Sequence, residues 1–253
     1  MTKLQRRYVE KPWGRSELPP MFDPPAGKRI GEVWFEGRAG LPLLAKYIFT
    51  SDALSIQVHP DDDQARKRGL AQGKSECWTI LDADDGATLG LGLKRSVGMD
   101  ELRSAAVDGS IEELIDWRPA AAGDFIFVPS GTIHAIGAGI SLLEFQQNAD
   151  VTYRLYDYGR PRQLHLDEGI TVAKAAPFPG DLVQSIRGKD QATLVDGPHF
   201  RLMLTAEDVM KDQQRWVMPL AGKAAGQCFL LEPGEPLEAL GVQMLIGATS
   251  ERS

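Results

Sequence analysis

The chain has 253 residues, 43% hydrophobic and 25% charged, which allows a substantial buried core and excludes disorder or a collagen-like repeat. Its 28 basic and 35 acidic residues give a net charge of −7, which argues against a nucleic-acid surface. No apolar run approaches the roughly 18 residues of a bilayer span, the opening MTKLQRRYVEKPWG lacks an apolar h-region, and Cys77 and Cys228 make no disulfide framework. A soluble, cytoplasmic protein with no membrane or nucleic-acid partner is expected.

Short apolar runs punctuated by 26 glycines and 16 prolines predict many strands joined by turns. In chain order the strand-like runs are 41–49 (LPLLAKYIF), 53–59 (ALSIQVH), 77–81 (CWTIL), 125–129 (FIFVP), 140–146 (ISLLEFQ) and 152–158 (TYRLYDY). Two stretches break this pattern. Residues 61–71 open with acidic N-cap candidates after a proline and suit a short helix, and 98–117 read as one or two amphipathic helices. The expectation is a mainly β body over 1–161 with a small helical insertion at about 98–117. From 162 to 253 a connector with one short helix leads to a second, smaller C-terminal β-sandwich lobe, and the terminal TSERS is expected to fray.

The most specific segment is GDFIFVPSGTIH, Gly123 to His134, whose glycine, proline, glycine and histidine spacing is similar to the second motif of the cupin family. Turns at Gly123–Asp124 and at Pro129–Gly131 flank a strand and aim His134 inward as a metal-ligand candidate. In LSIQVHPDD, Gln57 and His59 are two residues apart on a strand and leave the same face. Glu76 follows His59 by seventeen residues, entering another strand. Gln57, His59, Glu76 and His134 together offer an amide oxygen, two imidazoles and a carboxylate. That mixture suits one zinc or another borderline divalent ion per chain, with a position left for water or substrate.

The stretches KPWG, IGEVWF, LLAKYIFTSDALSIQVHPDD, GKSECWTIL, GDFIFVPSGTIHAIG and EFQQNADVTYRLYDYGR run in order over most of residues 10–165. In these the chain resembles type I mannose-6-phosphate isomerases, zinc-dependent members of the cupin superfamily. The resemblance implies a jelly-roll β-barrel, a small-molecule sugar phosphate as substrate, and interconversion of mannose 6-phosphate and fructose 6-phosphate. It implies Gln57, His59, Glu76 and His134 as the metal ligands, Arg154 as the catalytic arginine, and Lys74 and Glu144 near the reacting carbons. It also places Lys46, Ser55 and Arg160 where the substrate phosphate is expected. His165 and His199 have no ligand-spaced neighbours and are read as structural. The chain departs from the family in its short length, in lacking a large helical domain, and in Ala138, where cupins often carry asparagine. A monomer or weak homodimer is expected.

Aldose–ketose isomerisation through a cis-enediol needs negative charge stabilised on developing oxygens, by a divalent metal and by a fixed cation such as Arg154. Lys74, Glu144 or a metal-bound water all remain open as the general base. The rival reading is a non-catalytic metal- or sugar-binding cupin with a regulatory role. It gives no reason for the arginine and lysine set. An iron-dependent cupin dioxygenase is disfavoured by the Gln57 ligand and by the same cations.

Overall fold

Strand Leu43–Phe49 shows how the sequence builds the centre of the fold, for all seven of its residues are buried. Leu43, Ala45, Tyr47 and Phe49 point to one face and join a large apolar cluster. Lys46 and Ile48 point to the other. A strand covered on both faces reads as a nearly continuous apolar run. The informative residue is therefore the buried lysine within it. Strand Ile140–Gln147 repeats the arrangement, sending Leu143 and Phe145 one way and Glu144 and Gln146 the other.

The computed structural model describes residues 1–238 and 240–250 as a layered, mainly β protein. Residues 251–253, the end of the tail expected to fray, lie outside the described residues. The central seven-stranded sheet runs, in spatial order, Val183–Ser185, Asp124–Val128, Glu76–Ala83, Ile140–Gln147, Leu43–Phe49, Ile30–Glu36 and Gln5–Arg15. Its pairings are all antiparallel, with Glu144 directly opposite both Lys46 and Trp78. A five-stranded sheet faces it, ordered Tyr153–Tyr156, Ile56–Val58, His134–Ile136, Thr88–Leu93 and Ile115–Pro119. Trp78, Ile80, Ile126 and Leu142 of the first sheet pack against Leu89, Leu91 and Ile136 of the second. The two sheets stack in jelly-roll fashion, while the described strand pairings do not close into a barrel.

The C-terminal strands form a six-stranded sheet that also recruits Thr2–Lys3. Phe200, Leu202, Leu204, Trp216 and Leu245 of this sheet pack on the back of the central one against Phe145, Tyr47 and Leu143. Pairings among the described strands tie the two halves together. Residues 183–185 pair with Asp124–Val128, and residues 2–3 pair with Phe229–Leu231.

The helical insertion is shorter than the sequence pattern implies. Helices cover Met99–Asp108 and Ile111–Leu114, after which Ile115–Pro119 joins the five-stranded sheet opposite Thr88–Leu93. Ile115 is β-branched and fully buried, and cross-strand packing overrides the amphipathic pattern there. Leu102, Ala105, Ala106 and Ile111 cover the outer face of that sheet through Val58, Ile133 and Leu155. The short helix expected within 61–71 spans Asp62–Arg66. Its N-cap Asp61 accepts from the Gln64 amide at 2.8 Å, and the Gln64 side chain accepts from the Asp61 amide at 3.0 Å, a reciprocal capping box.

Candidate active site

Antiparallel pairing places His134 opposite Gln57, and Arg154 opposite Gln57 on its other side. The five-stranded sheet thus aligns three of the predicted residues, and Glu76 meets them from the first position of its strand in the central sheet. The His59 Nε2 and His134 Nε2 atoms each lie 3.4 Å from a Glu76 carboxylate oxygen. The Gln57 amide group is 3.2 Å from His134 Nε2. One ligand atom from each of His59, Glu76 and His134 falls within 4.8 Å of the others, and all three residues are fully buried.

The histidine tautomer is set from behind. His134 Nδ1 is 2.9 Å from the Thr132 carbonyl, so that nitrogen donates and Nε2 turns its lone pair to the centre. Burial, reinforced by the Lys74 ammonium, lowers His59 to about 3, and burial also lowers His134. Both rings are therefore neutral, as a metal ligand must be. Glu76 is ionised: burial opposes its charge, but the Lys74 ammonium, foremost among its neighbours, outweighs that and holds it well below the usual carboxylate range. Glu76 Oε2 and His59 Nδ1 are buried without an aligned hydrogen-bond partner. Two imidazoles, one carboxylate and one carboxamide around such a point fit a borderline divalent cation.

Beside this set runs a chain of buried charges. Lys74 Nζ is 2.7 Å from Glu76 Oε2 and 3.6 Å from Glu144 Oε1. Lys46 Nζ is 3.1 Å from the same Glu144 oxygen and 3.8 Å from Glu32 Oε1, and Lys11 Nζ is 3.2 Å from Glu32 Oε2. Burial and the charge of Glu76 raise Glu144 to about 7 against the pull of Lys46 and Lys74. Burial also opposes Glu32, yet Lys46, Lys11 and the Trp34 indole together hold it at about 2.

These groups line a polar cavity of about 220 Å³, enough for a small polar molecule. Gln57, Glu76, Lys74, Glu144, Lys46, Ser55 and Arg154, all singled out in the sequence, share it. Arg160 does not: its guanidinium donates to the Ala53 carbonyl at 2.7 Å and pairs with Asp157 at 2.9 Å. Glu32, Trp34, Lys11, Arg162 and His165 line the cavity and were missed, His165 having been read as structural. A wider groove of about 910 Å³ near Arg15, Asp84 and Tyr158 contains none of the metal-ligand candidates.

A second network anchors the segment carrying Lys74 and Glu76. Asp62 Oδ1 accepts from the Gly73 amide at 2.8 Å and from Gln147 Nε2 at 2.9 Å, and Gln147 Oε1 accepts from the Ser75 amide at 2.9 Å. Gly73 permits this approach, since a Cβ there would lie 2.5 Å from the Pro60 carbonyl oxygen. His199, also read as structural, reaches Asp62 at 3.6 Å from the C-terminal sheet.

Fold and site define a cupin-type β protein with a buried candidate metal centre. Comparison with known proteins gives the class a narrower neighbourhood. The chain is 42% identical over 169 residues to the mannose-6-phosphate isomerase of Streptococcus mutans, covering 63% of this chain and 52% of that protein. It is 35% identical over 195 residues to a putative mannose-6-phosphate isomerase of Bacillus subtilis, covering 70% and 61%. The chain thus spans about half the length of the curated relatives it matches. The crystal structure of a Bacillus subtilis mannose 6-phosphate isomerase superposes with a TM-score of 0.76 at 26% identity, covering 98% of this chain and 96% of that one. No protein-family profile matches. In sequence and in structure, then, the relatives are mannose-6-phosphate isomerases.

Proposed function

We propose that the chain is a metal-dependent aldose–ketose isomerase that interconverts mannose 6-phosphate and fructose 6-phosphate. The observation that carries this reading is a buried Gln57–His59–Glu76–His134 set that meets, through Gln57 and Glu76, the same cavity as an arginine with no side-chain partner among the described residues. Among the described residues the Arg154 guanidinium makes no hydrogen bond or ion pair, and its Nε is buried without an acceptor. A half-buried guanidinium left unpaired, with its Nε out of reach of water, is costly unless an anionic or oxygen-rich ligand completes it.

Gln57, His59, Glu76 and His134 would hold the cation, zinc by donor chemistry. When bound it supplies Lewis-acid stabilisation of charge beside the reacting carbons. The chain's own residues do the rest. A base removes the C2 proton of the aldose, and that electron pair becomes the C1–C2 double bond while the C1 carbonyl oxygen gains negative charge. Arg154, protonated at any working pH, stabilises that oxygen as a fixed cation. Transfer of the C2 hydroxyl proton to the C1 oxygen and return of the abstracted proton to C1 give the ketose.

Lys74 and Glu144, 3.6 Å apart, are the pair we assign to proton exchange. Glu144, raised to about 7, is poised to give and take a proton near neutrality. Lys46 lies between Glu144 and Glu32 and tunes both. Ser55 donates to Gln57 Oε1 at 3.1 Å and orients that amide. No helix among the described residues is long and apolar enough to cross a membrane. Two buried free cysteines and a phosphorylated substrate fit a cytoplasmic enzyme, monomeric or weakly dimeric.

The test is formation of fructose 6-phosphate from mannose 6-phosphate by purified, metal-analysed protein, before and after chelation and after zinc is restored. Metal-dependent turnover is expected. A metal-loaded chain that binds the sugar phosphate without turning it over returns the non-catalytic cupin.

A further inference from the structure

We propose that Arg162 and the Nε2–H of His165 form the phosphate clamp of the cavity, at its rim, beside Arg154; this rests on the sugar-phosphate reading above. The sequence pattern directs the phosphate to Lys46, Ser55 and Arg160, and the charges of the fold direct it elsewhere. Within the cavity the buried ammonium groups of Lys46 and Lys74, with the half-exposed Lys11, face the carboxylates of Glu32, Glu76 and Glu144. That interior is already balanced. A phosphate at Lys46 would meet two buried carboxylates, both within 4 Å of the ammonium. Arg160 is turned away and bound to Ala53 and Asp157.

The rim is charged differently. Asp157, 3% exposed, is shared by two guanidiniums. Arg162 donates from Nε at 2.6 Å and from Nη2 at 2.5 Å, and Arg160 pairs with the same carboxylate. The fork fixes Arg162 against the cavity wall, and among the described residues its Nη1 has no acceptor. The guanidinium of Arg154, which lines the same cavity, makes no hydrogen bond or ion pair among the described residues. Asp157 is already shared by Arg160 and Arg162, and Asp150, the other carboxylate acting on Arg154, forms no ion pair with it among the described residues, so the Arg154 guanidinium and Arg162 Nη1 keep unfilled donors beside the cavity.

His165 adds a neutral donor. Its backbone amide donates to the Arg154 carbonyl at 2.8 Å, and its Nδ1 accepts from the Arg154 amide at 3.3 Å. With Nδ1 accepting, a neutral ring carries its proton on Nε2, and the ring lines the cavity. Two guanidinium edges and an imidazole N–H converging on one opening suit a phosphate, which takes charge-assisted hydrogen bonds from several directions. The Arg154 strand is the immediate neighbour of the Gln57 strand, so a sugar held here by its phosphate presents its other end to the metal-ligand set.

The experiment compares wild type with Arg162→Met, Arg162→Lys and His165→Phe, reading kcat and KM for mannose 6-phosphate and the inhibition constant of inorganic phosphate. Arg162→Met is expected to raise both KM and that inhibition constant by roughly 10- to 100-fold, with a much smaller fall in kcat. Arg162→Lys should recover part of the loss, and His165→Phe should show a rise of about 5- to 10-fold. Metal content and melting temperature report whether each variant is folded, and the lysine and phenylalanine variants carry the test if the methionine variant is not. An inhibition constant that stays at the wild-type value, or a loss in kcat with KM unmoved, overturns the clamp. Wild-type protein that does not turn over mannose 6-phosphate overturns the isomerase reading instead. The clamp is then decided by calorimetric binding of inorganic phosphate to the same variants.

Discussion

Replacing Lys46 by methionine removes one ammonium group from the buried charge chain at nearly constant volume. The two carboxylates it leaves behind are not equally affected. Glu32 keeps Lys11 at 3.2 Å and the Trp34 indole at 2.8 Å. Glu144 keeps only Lys74 at 3.6 Å, which is already committed to Glu76 at 2.7 Å. The Glu32 loss is nearly constant above pH 5, because that group stays ionised, and relief from burying Lys46 partly offsets it. The Glu144 loss depends on pH. Its folded pKa, about 7, is above the ordinary glutamate value of 4.5, so folding takes up a proton and this group costs stability as pH rises between those values. Deleting Lys46 pushes the folded pKa higher still. Wild type and variant therefore carry the same Glu144 contribution below pH 7 and diverge above it, by about 1.4 kcal/mol per pH unit until the new pKa is reached. Urea unfolding in chelating buffer at pH 6, 7, 8 and 9 measures the difference. A modest gap at pH 6, roughly 2 kcal/mol or less, should widen by at least about 1 kcal/mol at pH 9. A gap that stays flat from pH 6 to 9 refutes the assignment of Lys46 as the partner that keeps Glu144 ionisable.

His59→Ala or His134→Ala should abolish metal binding and activity together, measured by metal analysis and turnover, whereas His199→Ala should retain both. Arg154→Ala is expected to lower kcat by about two orders of magnitude with normal metal content; an unchanged kcat removes it from the reaction. Asp62→Ala leaves the Gly73 amide and the Gln147 carboxamide without their acceptor. It should weaken metal affinity by roughly 10- to 100-fold in a chelator competition, although Asp62 is not one of the four candidate ligands.

The metal-ligand candidates were legible because their spacing is local. A histidine after a proline–glycine turn, and Gln57 and His59 on one strand face, need no knowledge of sheet order. Lys46 and Glu144 were reached through the family resemblance, although each is also a charge inside an apolar run. Glu32 in IGEVWF carries the same signal, but its role appears only when strand register brings Lys46 and Lys11 to it. Arg162 and His165 were not legible, because their places depend on the turn after Tyr156. Tyr158 there adopts a φ of 53°, which no local residue preference demands, and the chain then doubles back to pair His165 with Arg154. Residues 115–117 read as the end of a helix because an amphipathic period says nothing of a strand waiting opposite. Alternation likewise marks the C-terminal strands without saying which surface they will cover.

The central sheet works on both sides at once, and this couples regions that have no direct contact. On strand Ile140–Gln147, Phe145 packs on Phe200 and Trp216 while its neighbours Glu144 and Gln146 face the cavity. A shift of one residue along that strand would trade an aromatic ring for a carboxylate on each side. The chemistry therefore cannot be excised by cutting the chain after the last cavity residue. Such a fragment would present Tyr47, Phe49, Leu143 and Phe145 to water as a broad aromatic sheet, a surface that invites self-association. Substitutions in the C-terminal sheet can, by the same route, change how the sugar is handled while leaving every reacting group in place.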